Sequence, residues 1–144
     1  MKFKKIAIIG KYPAAIESSE MNSQLIDLIE YLAKKDYELI IEEKTQKKIK
    51  ITGFQSIPLQ SIGAEADIAI IIGGDGTMLG VARSLLDDGI PMIGVNSGRF
   101  GFLADLNTKN MFASIDQVLN GNYDEDKRLL IESKVYRDKK VIYE

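Results

Sequence analysis

The sequence predicts an α/β domain built on a buried parallel sheet and trailed by a β-hairpin, and three observations predict it. Two short apolar runs, Ile68 to Ile72 and Pro91 to Val95, each break into a glycine-rich turn. A strand, helix, strand pattern opens the chain between Phe3 and Ile41, and apolar residues at helical spacing follow the first glycine turn. Uniformly apolar, β-branched runs are what strands covered on both faces of a parallel sheet look like.

Taken in order, Phe3 to Ile9 reads as a first strand, and Ser18-Ser19-Glu20 as the start of a helix that turns Met21, Leu25, Leu28, Ile29 and Leu32 to a core. Tyr37 to Ile41 is a second strand, so the chain opens with a β-α-β unit whose crossover is expected to be right-handed. The turn after the first strand, Gly10-Lys11-Tyr12-Pro13-Ala14-Ala15, lacks the Gly-x-Gly-x-x-Gly spacing of common dehydrogenases. Glu42 stands where a ribose-binding acid often sits but is read as solvent-facing, and Lys44 to Lys50, with four lysines, as a solvated connection. Residues 53 to 63 read as a loop or a short extra strand. After Thr77 a helix carries Met78, Val81, Ala82, Leu85 and Leu86 and ends near Asp87-Asp88-Gly89, with Gly89 as its cap. Arg83 is read as a surface residue of that helix. Phe112, Ile115, Val118 and Leu119 define one more helix, closed by Asn120-Gly121. Two strands, Leu129 to Tyr136 and Val141 to Tyr143, then flank the polar turn Arg137-Asp138-Lys139-Lys140.

Composition bounds the chemistry. A chain of 144 residues, 45% hydrophobic and 28% charged, is ordinary for one globular core. Nineteen basic against twenty-one acidic side chains give a net charge of −2, which argues against a nucleic-acid partner. With neither cysteine nor histidine, disulfides, thiolate metal sites and imidazole bases are excluded, so a proton acceptor must be a carboxylate, lysine or tyrosine. The basic start Met1-Lys2-Phe3-Lys4-Lys5 leads into an apolar run that stops at Ile9, too short for a signal peptide. Nothing approaches a membrane span, and the cytoplasm is the expected address.

The chemistry concentrates in Gly73-Gly74-Asp75-Gly76-Thr77. Glycines free the backbone to take positive φ and let phosphates approach bare N–H groups, and a helix opened by Thr77 would add the positive end of its dipole. Asp75 would repel a phosphate, so it is expected to hold a metal, bind a hydroxyl or accept a proton. Gly73-Gly74-Asp75-Gly76 also reads as a plain strand-to-helix turn with Asp75 as N-cap. The second turn, Asn96-Ser97-Gly98-Arg99-Phe100-Gly101-Phe102-Leu103-Ala104-Asp105, follows another strand. Both turns are therefore expected at one carboxyl edge of the sheet, lining one crevice.

With both turns in hand, the chain resembles the NAD kinases, which pair a Gly-Gly-Asp-Gly signature, shared with 6-phosphofructokinases and diacylglycerol kinases, with a downstream Asn-x-Gly-x-x-Gly-Phe-Leu segment. The resemblance extends from about residue 3 to the end. It implies a three-layer, Rossmann-like α/β nucleotide-binding domain over residues 1–126, with residues 127–144 as the opening hairpin of a β-rich second domain. The Asn-Glu pair and Gly-Ser-Thr-Ala-Tyr segment that such a domain contributes occur nowhere in this sequence. It further implies transfer of the γ-phosphoryl group of ATP, with a divalent metal (Mg), to the 2′-hydroxyl of the adenosine ribose of NAD, giving NADP. By the same resemblance Asp75 is the catalytic base. Gly73, Gly74 and Gly76 would give the phosphates donors and room, and Asp75, Gly76, Leu79, Phe102 and Leu103 match positions that contact the dinucleotide. Leu79 and Phe102 also read as ordinary core residues, and Asn96 either holds a ribose or phosphate oxygen or caps its own loop. No protein metal ligands are expected. The 144-residue chain alone is expected to be inactive, and the full-length protein to be a dimer or tetramer. Two alternatives stand beside this: a lipid or sugar kinase of the same superfamily, and a non-catalytic dinucleotide-binding or assembly module that pairs through its hairpin edges.

Overall fold

The computed structural model describes residues 3–10, 19–97, 101–104 and 106–143. Ser18, the turn from Lys11 to Ala15, the Gly98-Arg99-Phe100 part of the second motif and Asp105 lie outside them. Six strands form one parallel sheet: β1 (Lys5–Gly10), β2 (Glu38–Glu42), β3 (Gln55–Ile57), β4 (Ile68–Gly73), β5 (Met92–Asn96) and β6 (Leu106–Asn107), in the order β3-β2-β1-β4-β5-β6. The order reverses between β1 and β4, and the crevice outside the carboxyl ends of strands at such a switch point is where open α/β sheets bind ligands.

Strand alternation sorts the side chains into two cores. On one face Ile6, Ile8, Leu39, Ile41, Ile68, Ile70, Ile72, Ile93 and Val95 pack under the helices α1 (Ser19–Ala33), α2 (Glu43–Ile49) and α5 (Met111–Leu119). On the other, Ala7, Ile9, Ile40, Ala69 and Ile71 meet α3 (Ile62–Glu65) and α4 (Asp75–Ser84) through Ile62, Val81 and Leu85. The result is the expected three layers, with helices on both faces of an entirely buried β4. The amphipathic spacing of α1 holds: Met21, Leu25, Leu28, Ile29 and Leu32 are its buried residues.

Three readings of the sequence are corrected. The lysine-rich stretch is a helix, not a connection: Thr45 and Ile49 of α2 are buried one turn apart and its lysines flank them. Glu42 does not face solvent; it is 2% exposed. Its carboxylate caps α2, accepting the Thr45 backbone N–H at 2.8 Å and the Thr45 hydroxyl at 2.9 Å, and the Thr45 oxygen in turn accepts the Gly10 N–H at 2.9 Å. One buried acid thereby joins the ends of β1 and β2 to a helix start, a use of an N-cap that two neighbouring acids and a run of lysines conceal in the sequence. The α4 helix also ends earlier than its apolar spacing suggests, at Ser84, with Gly89 closing the following turn at φ 63° and donating to the Leu85 carbonyl. Residues 53–63 contain β3, a single 3-10 turn at Leu59–Ser61 and the start of α3.

The tail forms a two-stranded antiparallel sheet, β7 (Val135–Arg137) with β8 (Lys140–Tyr143), separate from the six-stranded one. Asp138 and Lys139 both take positive φ, 49° and 61°, the pattern of a type I′ turn whose twist suits a hairpin. Its first strand is shorter than the sequence suggests: residues 129–134 join neither sheet.

Candidate active site

The two glycine-rich turns do converge. The last residues of β4 and β5, Gly73 and Asn96, are partners across the sheet, and the Ser97 N–H donates to the Gly73 carbonyl at 3.2 Å. Beyond β4 the helix begins two residues before Thr77, with Gly74 as the N-cap position and Asp75 as the first helical residue. Asp75 is therefore not the cap that the local pattern allowed. The Gly74 carbonyl accepts the N–H groups of Thr77 and Met78, each at 3.0 Å, leaving the first-turn donors of α4 aimed out of the helix end, where anions are favoured.

The glycines serve by size rather than by backbone conformation. None of Gly73, Gly74 and Gly76 takes a positive φ, contrary to the expectation from the sequence. A Cβ on Gly73 would sit 2.6 Å from Thr77 Oγ1, so that residue is needed for packing; a Cβ on Gly74 or Gly76 would meet nothing within 4 Å. Those two positions leave the backbone open to a ligand.

Asp75 reaches across to the second turn. Its Oδ2 accepts the Phe102 N–H at 2.7 Å and its Oδ1 accepts the Leu103 N–H at 3.0 Å, bonds between residues 27 and 28 positions apart. These two donors hold the carboxyl below the usual carboxylate range; burial opposes them, and the Ala104 N–H and the Arg128 guanidinium add smaller pulls in the same direction. Gly101 is glycine because of this contact: a Cβ there would lie 2.1 Å from Asp75 Oδ1. Arg128 closes the arrangement, donating from Nη1 to the Phe102 carbonyl at 3.0 Å while its Nε pairs with Asp126 at 2.8 Å.

The other candidates divide. Leu79 is 45% exposed and Phe102 90% exposed, so neither is the core residue it also resembled, and both offer apolar surface beside Asp75. Leu103 is half-buried. Asn96 is 5% exposed and ends β5 beside Gly73. Arg83 is exposed, as read. Gly101 and Arg128 were missed as site residues. Gly101 had a signal in its motif, whereas Arg128 stands among mixed charges and finds Phe102 only through the fold. A hollow of about 290 Å³ lies at the amino-terminal half of β5, walled by Phe3, Met92, Ile93 and Leu106 and rimmed by Asp124 and Asp126. It meets the candidate site at Leu103 and, through Asp126, at Arg128, and its acidic rim is the wrong sign for phosphates. Among the described residues no group of three acidic, histidine or cysteine side chains gathers to hold a metal ion.

The sequence and the fold are similar to those of known proteins. Residues 15–123 match the family described as the ATP-NAD kinase N-terminal domain. The chain is 36% identical over 141 residues to an NAD kinase of Cupriavidus pinatubonensis, covering 98% of this chain and 45% of the relative, and 37% identical over 135 residues to one of Nitrosomonas eutropha, covering 94% and 44%. It thus spans about half the length of the curated relatives it matches. Among solved structures, yeast NADH kinase complexed with NADH superposes with a TM-score of 0.72 at 17% identity, over 85% of this chain and 39% of the other. An Archaeoglobus fulgidus NAD kinase in complex with ATP gives 0.52 at 19%, over 80% and 36%; at those identities the likeness concerns the fold. The family match over most of the chain, joined to relatives aligned along nearly all of it, places this protein in the NAD kinase family, as an ATP-NAD kinase N-terminal domain.

Proposed function

We propose that the complete protein is an NAD kinase, transferring the γ-phosphoryl group of ATP to the 2′-hydroxyl of the adenosine ribose of NAD to give NADP and ADP, and that this chain carries its general base and half of its nucleotide site. The observation that carries the reading is the Asp75 carboxylate, fixed at the start of α4 between bare Gly74 and Gly76 and exposed Leu79 and Phe102. Phosphoryl transfer needs positioning and charge neutralisation more than covalent chemistry from the protein. An ionised carboxylate with two backbone donors still has lone pairs to take a hydrogen bond from a ribose hydroxyl; its lowered basicity favours orienting that hydroxyl over removing its proton early, and the proton passes to it as the new O–P bond forms. The α4 first turn supplies donors to phosphate, and Leu79, Phe102 and Leu103 an apolar seat for adenine. Asn96 serves as a wall of the site through its place beside Gly73. The divalent ion, Mg, arrives on the substrate phosphates, its usual way of binding in such sites.

We read residues 1–126 as the nucleotide-binding domain and 127–144 as the opening of a second, β-rich domain. Leu129 and Ile131, 95% and 92% exposed, support this, since apolar side chains left so open belong against a partner. The same surface supports a homo-oligomer. No helix among the described residues is long and apolar enough to cross a membrane. Our reading places the complete protein in the cytoplasm, as an enzyme of NADP biosynthesis.

The test is NADP formation by the full natural-length protein and by residues 1–144 alone, with Asp75→Asn in the former. We expect activity only in the longer protein, and a loss in Asp75→Asn of about 10²-fold or more in kcat with a smaller change in NAD affinity, the size typical of removing an acid–base group. Near-normal turnover would remove Asp75 from the role of base. A product survey returning phosphorylated lipid or sugar without NADP would replace the reading altogether.

A further inference from the structure

One of the peptide groups that grip the Asp75 carboxylate is itself gripped from behind. The carbonyl of Phe102 and the N–H of Leu103 belong to one planar unit. Its N–H points to Asp75 Oδ1 at 3.0 Å, and its carbonyl oxygen receives Arg128 Nη1 at the same distance. The guanidinium is oriented in turn by Asp126 through Nε. Resting on the kinase reading above, the geometry points to Arg128 as a positioning residue for the candidate base: it fixes the tilt of the Phe102–Leu103 peptide and so the direction in which Asp75 offers its remaining lone pairs.

Three physical features carry this. A hydrogen-bonded chain from guanidinium through peptide to carboxylate polarises each member and strengthens the next. Ala104, 5% exposed over Gly94, anchors the carboxyl end of loop 101–104, but Phe102 is 90% exposed and Gly101 carries no side chain; at the Phe102–Leu103 peptide the clamp is the pair of charges on its two sides. Gly101 allows the clamp to close, because a Cβ would occupy the position of the carboxylate oxygen. The groups bearing on the Asp75 charge among the described residues are the N–H donors of Phe102, Leu103 and Ala104 and the cation of Arg128. Arg128 also lies on the segment that leaves the α/β unit, so the position of that segment is communicated to the base through one peptide group and its two hydrogen bonds.

The experiment compares Arg128→Ala and Arg128→Lys in the full natural-length protein. Steady-state NADP formation across pH is read together with the ¹⁵N amide resonances of Phe102 and Leu103, which sense Asp75 ionisation directly. Arg128→Ala is expected to lower kcat about tenfold to a hundredfold, the cost of a small misplacement of a catalytic group, while the KM for NAD changes by less than about threefold, because ground-state contacts to the dinucleotide remain. The removed cation had favoured ionised Asp75, so the acid limb of the kcat profile and the midpoint of the Leu103 amide titration both move to higher pH. Arg128→Lys keeps the charge and one donor but not the planar fork; its limb stays in place and kcat recovers in part. A wild-type pH limb and amide midpoint in Arg128→Ala overturn the proposal, even if kcat falls. Should that variant not fold, Arg128→Gln, which keeps a donor and drops the charge, is judged by the same amide midpoint. If the wild-type protein forms no NADP, the kinase reading fails while the amide titration still decides the role of Arg128.

Discussion

Residues 68–72 and 129–131 are equally apolar, yet one run is the centre of the molecule and the other stands in water. Every residue of the first is at most 1% exposed, whereas Leu129 and Ile131 are 95% and 92% exposed. The first run lies between β1 and β5 with helices on both faces; the second finds no sheet to join among the described residues. Hydrophobicity states that a segment needs cover, and the cover itself is a property of its neighbours.

That contrast predicts a graded response. Ile70→Ala is expected to have the largest effect, destabilising the chain by about 2–5 kcal/mol because a fully buried side chain leaves a cavity; denaturant unfolding measures it, and a loss below 1 kcal/mol would mean that the centre of the sheet repacks freely. Next comes Asp67, at the entrance to β4, whose carboxylate accepts the N–H groups of Lys5 and Lys4 at 2.8 and 2.7 Å. Those two donors hold it below its ordinary value of 3.8. A carboxyl depressed on folding stabilises the native state at pH well above that ordinary value, and the contribution fades as pH falls through the folded value. Asp67→Asn should therefore cost about 1 kcal/mol or less at neutral pH, solvent screening having reduced it, and the gap to wild type should close in acid; a gap independent of pH would show that the carboxylate charge is not what ties β1 to β4. The smallest effect belongs to the tail. Ile131→Ser in residues 1–144 should change stability by less than about 0.5 kcal/mol, as surface substitutions do, and a cost above 1 kcal/mol would mean that the tail packs on the sheet after all.

The two glycine-rich turns differ in the same way as the two apolar runs. The first is assembled locally, by a strand ending and a helix starting, with Gly74 at the cap position. The second has no regular structure at residues 101–104 and is held at a distance, by Asp75 on one side and Arg128 on the other. A ligand entering between them would meet one rigid wall and one wall secured by a few charged hydrogen bonds.

The sequence by itself determined what depends on neighbours a few positions away. Uniformly apolar runs and glycine breaks marked the strands, helical spacing marked α1 and α5, and adjacency of an acid to glycines at a strand end marked Asp75. Two motifs in order carry the resemblance to the family. Only tertiary structure decided what depends on residues far apart. Glu42 is buried because Thr45 and, through it, the Gly10 backbone claim its carboxylate, and Arg128 matters because folding brings it within 3.0 Å of a carbonyl 26 positions earlier. Local pattern encodes periodicity, whose range is one or two turns; hydrogen bonds between charged groups and distant backbone have no period and leave no mark on composition. The fold was thus legible from hydrophobic pattern, while the electrostatic frame around Asp75 came into existence only when the sheet brought two turns to one edge.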